Sequence, residues 1–92
     1  MEYIDVEWVH DSPENPTRLV SELDEARYET RKLEFFRDGR VGFSDSSRSS
    51  GGTDLGSVPV PPLEEINDQP EFRGISIDRT TFESLWGQYA DE

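Results

Sequence analysis

The stretch KLEFFRDGRVGFSD, residues 32–45, decides the fold because it contains the clearest β-hairpin of the chain. Two apolar segments, LEFFR and RVGFS, flank Asp38-Gly39, and an Asp-Gly pair supplies the positive φ values that a two-residue type I′ turn needs. Phe35 and Phe36 are consecutive, so their rings point to opposite faces unless a bulge re-phases the strand. We therefore predict two antiparallel strands joined by a two-residue turn.

Two more strands are predicted before this hairpin. The segment EYIDVEWVH alternates apolar and polar residues, with Ile4, Val6, Trp8 and His10 on one face, as in a half-buried strand. The segment DSPENP then forms a turn or short loop, and TRLVSELD reads as a strand that returns tightly around Asp24. Consecutive hairpins of this kind predict a four-stranded, mainly antiparallel sheet over residues 1–46.

The rest of the chain is predicted to form a loop and two helices. Residues 44–62 are rich in Ser and Gly and then in Pro, which is typical of a flexible loop that ends in an extended lead-in. Pro62 can occupy the first turn of a short helix, and Asp78 has the position of an N-cap for a second one. The second helix has an apolar face, with the spacing i, i+3, i+4 and i+7, made of Phe82, Leu85, Trp86 and Tyr89. We expect these helices, within residues 62–92, to cover one face of the sheet. The predicted fold is a single α+β domain over residues 1–92.

Composition excludes several classes of function. The 92 residues include no cysteine, which removes disulfides, thiolate nucleophiles and cysteine-bound zinc. The beginning of the chain is acidic and alternating rather than a basic segment followed by an apolar one, and no apolar run is long enough to cross a membrane. A net charge of −12 opposes direct binding to nucleic acid or to an anionic membrane. We expect a cytoplasmic protein whose natural complement is a basic surface.

The charge is unevenly distributed along the chain. Residues 1–25 carry a net −7, residues 26–51 a net +2, residues 52–63 a net −1 and residues 64–92 a net −6. The basic residues of the central hairpin region can neutralise Glu22, Glu29 and Glu34 by cross-strand pairing and discourage edge-to-edge association. Alternatively, its arginines form an anchor patch for the carboxylates or phosphates of a partner.

Candidate chemistry is sparse. His10 is the only histidine and the only side chain whose ordinary pKa suits proton transfer near neutrality, but a structural role at the strand end is favoured. The segment GGTDLG lacks the lysine and the spacing of a phosphate-binding loop. The acids near Glu22 lack the spacing of a calcium loop. We predict no metal, no cofactor and no catalytic residues.

Four segments carry a resemblance to a known family: VEWVH, SELDEARYETRKLEFFRDGRVGFS, GGTDLGSVPVPPLEEIN and FESLW. Together they resemble a domain-of-unknown-function family of short bacterial proteins, and they span almost the whole chain. The family offers no established activity or catalytic residues to transfer. Its members are similar to the small, acidic, cysteine-free immunity partners of bacterial toxins, and that analogy implies a binding protein.

We therefore expect a small acidic, non-enzymatic binding protein, an immunity-type inhibitor that blocks a basic toxin or nuclease. The expected partner-binding residues are Glu22, Asp24, Glu25, Glu64, Glu65 and Asp68, with Arg37 and Arg40 as secondary anchors. One alternative is a phage-type anti-defence protein that mimics the charge of DNA, and another is a small enzyme that uses His10. A homodimer is also compatible with the aromatic content of the chain.

Overall fold

The computed structural model describes residues 1–90 as one six-stranded antiparallel sheet with two helices. The elements are β1 (Glu2–Trp8), β2 (Arg18–Leu23), β3 (Glu29–Phe35), β4 (Val41–Ser44), β5 (Ser49–Ser50), α1 (Leu63–Asn67), β6 (Phe72–Ile77) and α2 (Arg79–Tyr89). The strand order is β5-β4-β3-β2-β1-β6, and every neighbouring pair is antiparallel. The predicted α+β class and the antiparallel hairpins are confirmed, and four strands lie within residues 1–46, but the sheet has six strands rather than the four predicted.

The two additional strands lie at the edges of the sheet. β5 contains two residues, and β6 pairs with β1 after the chain has passed through α1. The sequence of β6, FRGISI, has a glycine in its middle, and glycine weakens a strand pattern because it contributes no side chain to pack. With β2 on one side and β6 on the other, β1 becomes an inner strand. Both Tyr3 and Ile4 are buried, so β1 is not half-buried as predicted but buried on both faces.

The hairpin that joins β3 to β4 has a different turn from the one predicted. Gly39 alone has a positive φ among residues 36–40, at 95°, whereas a type I′ turn requires two such residues. The N–H of Gly39 donates to the carbonyl of Phe36 at 3.0 Å, and the N–H of Phe36 donates to the carbonyl of Arg40 at 2.9 Å. This pattern is a three-residue loop, in which a turn is followed by a glycine in the left-handed region.

Helices cover both faces of the sheet, which corrects the prediction that they share one. Face A, which carries Tyr3, Val20 and Leu33, packs against Phe82 of α2. Face B, which carries Ile4, Val6 and Leu23, packs against Ile66 and Leu63 of α1. Because neighbouring residues of a strand point to opposite faces, the alternation along β1 feeds two separate hydrophobic clusters.

The predicted beginning and apolar face of α2 are confirmed. The side chain of Asp78 accepts a hydrogen bond from the N–H of Thr81 at 2.8 Å, as expected of an N-cap. Phe82 is fully buried, and Leu85 and Trp86 pack against the face A cluster. Tyr89 meets Phe35 edge-on, with the ring centroids 5.0 Å apart. The helix therefore crosses face A from the end of β6 to the end of β3.

Candidate interaction surfaces

Most of the basic residues form ion pairs with carboxylates of the protein itself. Within residues 1–90, each arginine and lysine except Arg37 lies within 4 Å of a carboxylate. Of the predicted cross-strand pairs, the one between Arg31 and Glu22 is present, whereas Lys32 lies 3.3 Å from Glu29 and 3.6 Å from Glu34 within the same strand. Within the segment of residues 26–51, Arg27 and Arg31 hold acids from other parts of the chain, whereas Lys32, Arg40 and Arg48 pair with acids of the segment itself.

Arg31 is the most heavily engaged of these cations. Its guanidinium makes two hydrogen bonds to Glu22, at 2.9 and 2.7 Å, and two to Glu83 of α2, at 3.1 and 2.7 Å. It also lies over the rings of Phe82 and Trp86, 4.8 and 5.3 Å from their centroids. Arg31 thus connects the sheet to α2 by charge and by ring contact at once.

The carboxylate of Glu22 is held in its ionised form by this arrangement. Hydrogen bonds from Arg31, with a further one from Thr30, lower the pKa of Glu22 to about 2. The same guanidinium lowers the pKa of Glu83. Glu22 is 6% exposed, and its charge is neutralised within the protein by Arg31. It therefore does not contribute to a partner-binding surface.

A second arginine clamps the loop that precedes α1. Arg27 has φ 68°, an uncommon value for a residue other than glycine. From this position its guanidinium donates to the carbonyls of Val60 and Pro61, each at 2.8 Å, and pairs with Glu2. The clamp places the β2–β3 turn beside the start of α1, and so brings two acidic segments of the sequence together.

The segment predicted to be a flexible loop lies across the face B side of the sheet and makes specific contacts there. Thr53 is buried, and its hydroxyl donates to Glu34 at 2.8 Å. The N–H of Gly56 donates to Glu29 at 2.6 Å, while Lys32 donates to the carbonyl of Asp54 at 3.3 Å. The acids and the lysine of β3 therefore bind this loop in addition to forming ion pairs with one another.

The exposed acids around α1 form the clearest charged surface, which we call the acidic surface. It consists of Glu25 in the β2–β3 turn, Glu64 and Glu65 in α1, and Asp68 and Glu71 in the turn that follows. All five are exposed, and none has an ion-pair partner within residues 1–90. Four of the six predicted partner-binding acids belong to this surface, and Glu71 was not predicted.

The remaining predicted site residues have local roles. Asp24 accepts hydrogen bonds from the N–H groups of Ala26 and Tyr28, at 2.9 and 3.0 Å, and so stabilises its own turn. Arg40 pairs with Asp38 at 2.9 Å and lies over the ring of Phe36. Arg40 is therefore engaged within its own turn, whereas Arg37 of the same turn donates to the carbonyl of His10.

His10 acts as a pin for the loop between β1 and β2. Its Nε2–H donates to the carbonyl of Pro16 at 2.7 Å, and its Nδ1 accepts from the N–H of Ser12 at 3.0 Å. Its ring also lies edge-on to Trp8, with centroids 4.5 Å apart. Both ring nitrogens are thus engaged within the loop, which matches the structural role that the sequence favours.

One corner of face A is left open by α2, and sequence reasoning did not find it. Here the end of β1 and the beginning of β6 form a groove of about 630 Å³. We call it the open corner and define it by Asp5, Glu7, Val9, Arg37, Arg73 and Ile75, which are among its lining residues. Because β6 was not predicted, nothing in the sequence pattern placed Ile75 and Arg73 next to β1.

The family assignment rests on the match of a family model to most of the chain. The model described as Domain of unknown function (DUF6881) matches residues 2–91. The chain belongs to the DUF6881 family. A search of curated proteins and a search of solved structures both return no match.

The described part of this DUF6881 chain has neither a metal-binding cluster nor a membrane-spanning helix. Within residues 1–90, no group of three or more His, Cys, Asp or Glu side chains is arranged to hold a metal ion. Over the same residues, no helix is long and apolar enough to cross a membrane.

Proposed function

We propose that this protein is a non-enzymatic binding protein, an immunity-type inhibitor that covers a basic bacterial toxin or nuclease with its acidic surface. The observation that carries the proposal is the contrast between paired and unpaired charge. The cations other than Arg37 are bound to carboxylates of the protein itself, while the acids around α1 are exposed and have no ion-pair partner within residues 1–90.

Exposed charge of one sign is suited to rapid recognition. A net charge of −12 on 92 residues attracts a basic partner over a distance set by the ionic strength, about 8 Å at physiological salt. Local complementarity then selects the docking orientation. Glu64, Glu65 and Asp68 lie on or directly after one short helix, and that helix is fastened to face B through Ile66. The acidic surface is therefore presented on a packed element.

Affinity capture from the native host tests the proposal. Wild-type protein is compared with E64Q/E65Q/D68N and with the control D11N/E14Q/D54N, which also removes three charges from exposed acids that lack ion-pair partners in residues 1–90. We expect one basic protein, identified by mass, to be retained by the wild type and by the control, and to be largely lost by the first variant. The purified partner should lose its activity on addition of the wild-type chain.

Four outcomes would contradict this proposal. One is a neutral or acidic partner, and another is equal retention by the two variants. The third is a large DNA-binding complex that nucleic acid displaces, since this result would favour the anti-defence function that mimics the charge of DNA. Turnover of a small molecule by pure protein, abolished in a folded His10→Ala variant, would replace the binding function by an enzymatic one.

A further inference from the structure

We propose that the open corner is a second binding site, one that takes a partner segment in which a carboxylate lies next to an apolar side chain. This site is opposite to the acidic surface in charge preference, and it adjoins that surface only at Glu71, whose carbonyl accepts a hydrogen bond from the N–H of Val9 at 2.8 Å. The inference therefore does not depend on the function proposed above, and it is tested separately.

The apolar part of the site is the uncovered end of face A. The rings of α2 meet Tyr3, Phe35 and Phe43, so the helix leaves uncovered the corner where β1 ends and β6 begins. Ile75 is 61% exposed and Val9 is 48% exposed, and both line the same groove. Ile75 pairs with Asp5, whereas Val9 lies four residues further along the chain and bonds to Glu71, so the groove offers an aliphatic contact at two separate positions.

The polar part of the site is a local excess of positive charge. The groove is lined by three arginines and two acids, a net of +1 in a chain of net −12. Arg18 makes two hydrogen bonds to Asp5, at 2.9 and 2.7 Å, which occupies one pair. Arg73 and Glu7 are 3.8 Å apart and mostly exposed, which is a weak pair.

Arg37 supplies the free donors. One of its terminal nitrogens donates to the carbonyl of His10, which holds the guanidinium at the mouth of the groove. Within residues 1–90 it has no carboxylate partner. A guanidinium with unused N–H groups binds a carboxylate through paired hydrogen bonds. A carboxylate is therefore the group that would accept from the unused N–H groups of Arg37.

The segment is expected to lie across the face rather than to extend the sheet. The side chain of Asn67 bonds to both the N–H and the carbonyl of Gly74, at 2.6 and 3.0 Å. These are the outward-facing backbone groups at the middle of β6, so an added strand would have to displace them. Binding by side chains in the groove needs no such displacement.

A phage library of random dodecapeptides, selected on the immobilised full chain, tests the inference. We expect enriched peptides in which Asp or Glu neighbours Leu, Ile, Val or Phe. Arg37→Gln should weaken their binding about fivefold because one charge-assisted contact is lost. The control Arg40→Gln should leave affinity unchanged, because Arg40 lies in the same turn but outside the groove.

A second pair of variants tests the apolar part of the site. Ile75→Ser should weaken the same peptides about fivefold, since the aliphatic contact is removed. Val58→Ser is the matched control, because Val58 is 68% exposed but does not line the groove. Amide shifts in the full chain should concentrate at Val9, Arg37 and Ile75 when a selected peptide is added.

Several results would overturn the inference. They are an absence of acidic–apolar peptides among those enriched, equal binding by the Arg37 and Arg40 variants, and self-association of the chain through Ile75. Enrichment of basic peptides alone would also overturn it, while supporting the acidic surface. The two proposals can thus fail independently in one experiment.

Discussion

Replacing Arg31 with Met should remove more stability than any other single charge change in the described part of the chain. Methionine keeps an unbranched apolar stem against Phe82 and Trp86 but removes the four hydrogen bonds to Glu22 and Glu83. The carboxylate of Glu22 would then be buried without its cation, which is the costly way to break an ion pair.

The magnitude follows from the pKa of Glu22. Hydrogen bonds from Arg31 are the main reason that it falls from 4.5 to about 2, and a shift of this size corresponds to about 3 kcal/mol in favour of the folded, ionised state. Breaking a buried pair by removing one partner costs about 3 to 5 kcal/mol. Since a small domain has a total stability of about 5 to 10 kcal/mol, the variant should be close to unfolding at 25 °C.

Urea unfolding at pH 7 measures the effect. With an m value of about 1.5 kcal/mol per M, the midpoint should fall by about 2 M or more. The control Arg40→Met removes a pair whose two side chains are about 60% exposed, and it should cost less than about 1 kcal/mol. In the double variant R31M/E22Q the buried charge is gone, so about 2 kcal/mol should be recovered relative to R31M.

The pH dependence has a definite sign. The pKa of Glu22 is lowered in the folded state, so its contribution to stability is complete above the unfolded pKa of 4.5 and is lost as the pH falls through about 2. Wild type should therefore lose more stability than Glu22→Gln between pH 5 and pH 2. Equal midpoints for R31M and R40M, or no rescue by Glu22→Gln, would refute the reasoning.

Changes at four further positions test other parts of the fold. Arg27→Ala should be less stable than Arg27→Gly by about 1 kcal/mol in thermal unfolding, because both lose the clamp but only alanine keeps the cost of a positive φ; equal stabilities would contradict this. Gly74→Ala places a Cβ 2.7 Å from Leu63 and should destabilise by about 1 to 3 kcal/mol. The Cβ added by Gly87→Ala has no atom within 4 Å, so this variant should stabilise α2 by up to about 1 kcal/mol. The two alanine variants should therefore move the melting temperature in opposite directions. His10→Ala should lower the unfolding free energy by about 1 to 2 kcal/mol, and a melting curve identical to wild type would argue against its role as a loop pin.

The central part of the fold could be predicted from the sequence because its signals are local. Alternation in β1 to β4 and the Asp78 N-cap depend on residues close to one another in the chain. The exact turn between β3 and β4 could not be predicted, since an Asp-Gly pair suits both a two-residue and a three-residue loop. The single positive φ at Gly39 and the hydrogen bond from Gly39 to Phe36 distinguish the two.

The edge strands and the layering could not be predicted because they depend on distant contacts. β6 is defined by its pairing with β1, about 70 residues earlier in the chain. The placement of α1 on face B depends on Ile66 meeting Ile4 and Leu23. No short stretch of sequence contains that information, so the apolar residues of α1 and α2 were assigned to the same face.

The candidate sites divide in the same way. Exposed acids such as Glu64 and Asp68 are visible in composition, and their surface could be predicted. Glu22 has the same chemistry but is buried against Arg31, and only the cross-strand register shows this. The open corner depends on β6 and on the path of α2 across the sheet, so neither Ile75 nor Arg73 could be recognised as part of it.

The most direct test of the central claim is the rate at which the captured basic partner associates with this chain, measured by stopped flow at 20 and 500 mM salt. If the acidic surface guides association, the rate should fall at least about tenfold at high salt. At low salt, E64Q/E65Q/D68N should associate more slowly than D11N/E14Q/D54N, although the two variants carry the same net charge. A rate that is independent of salt, and equal for both variants, would contradict the claim.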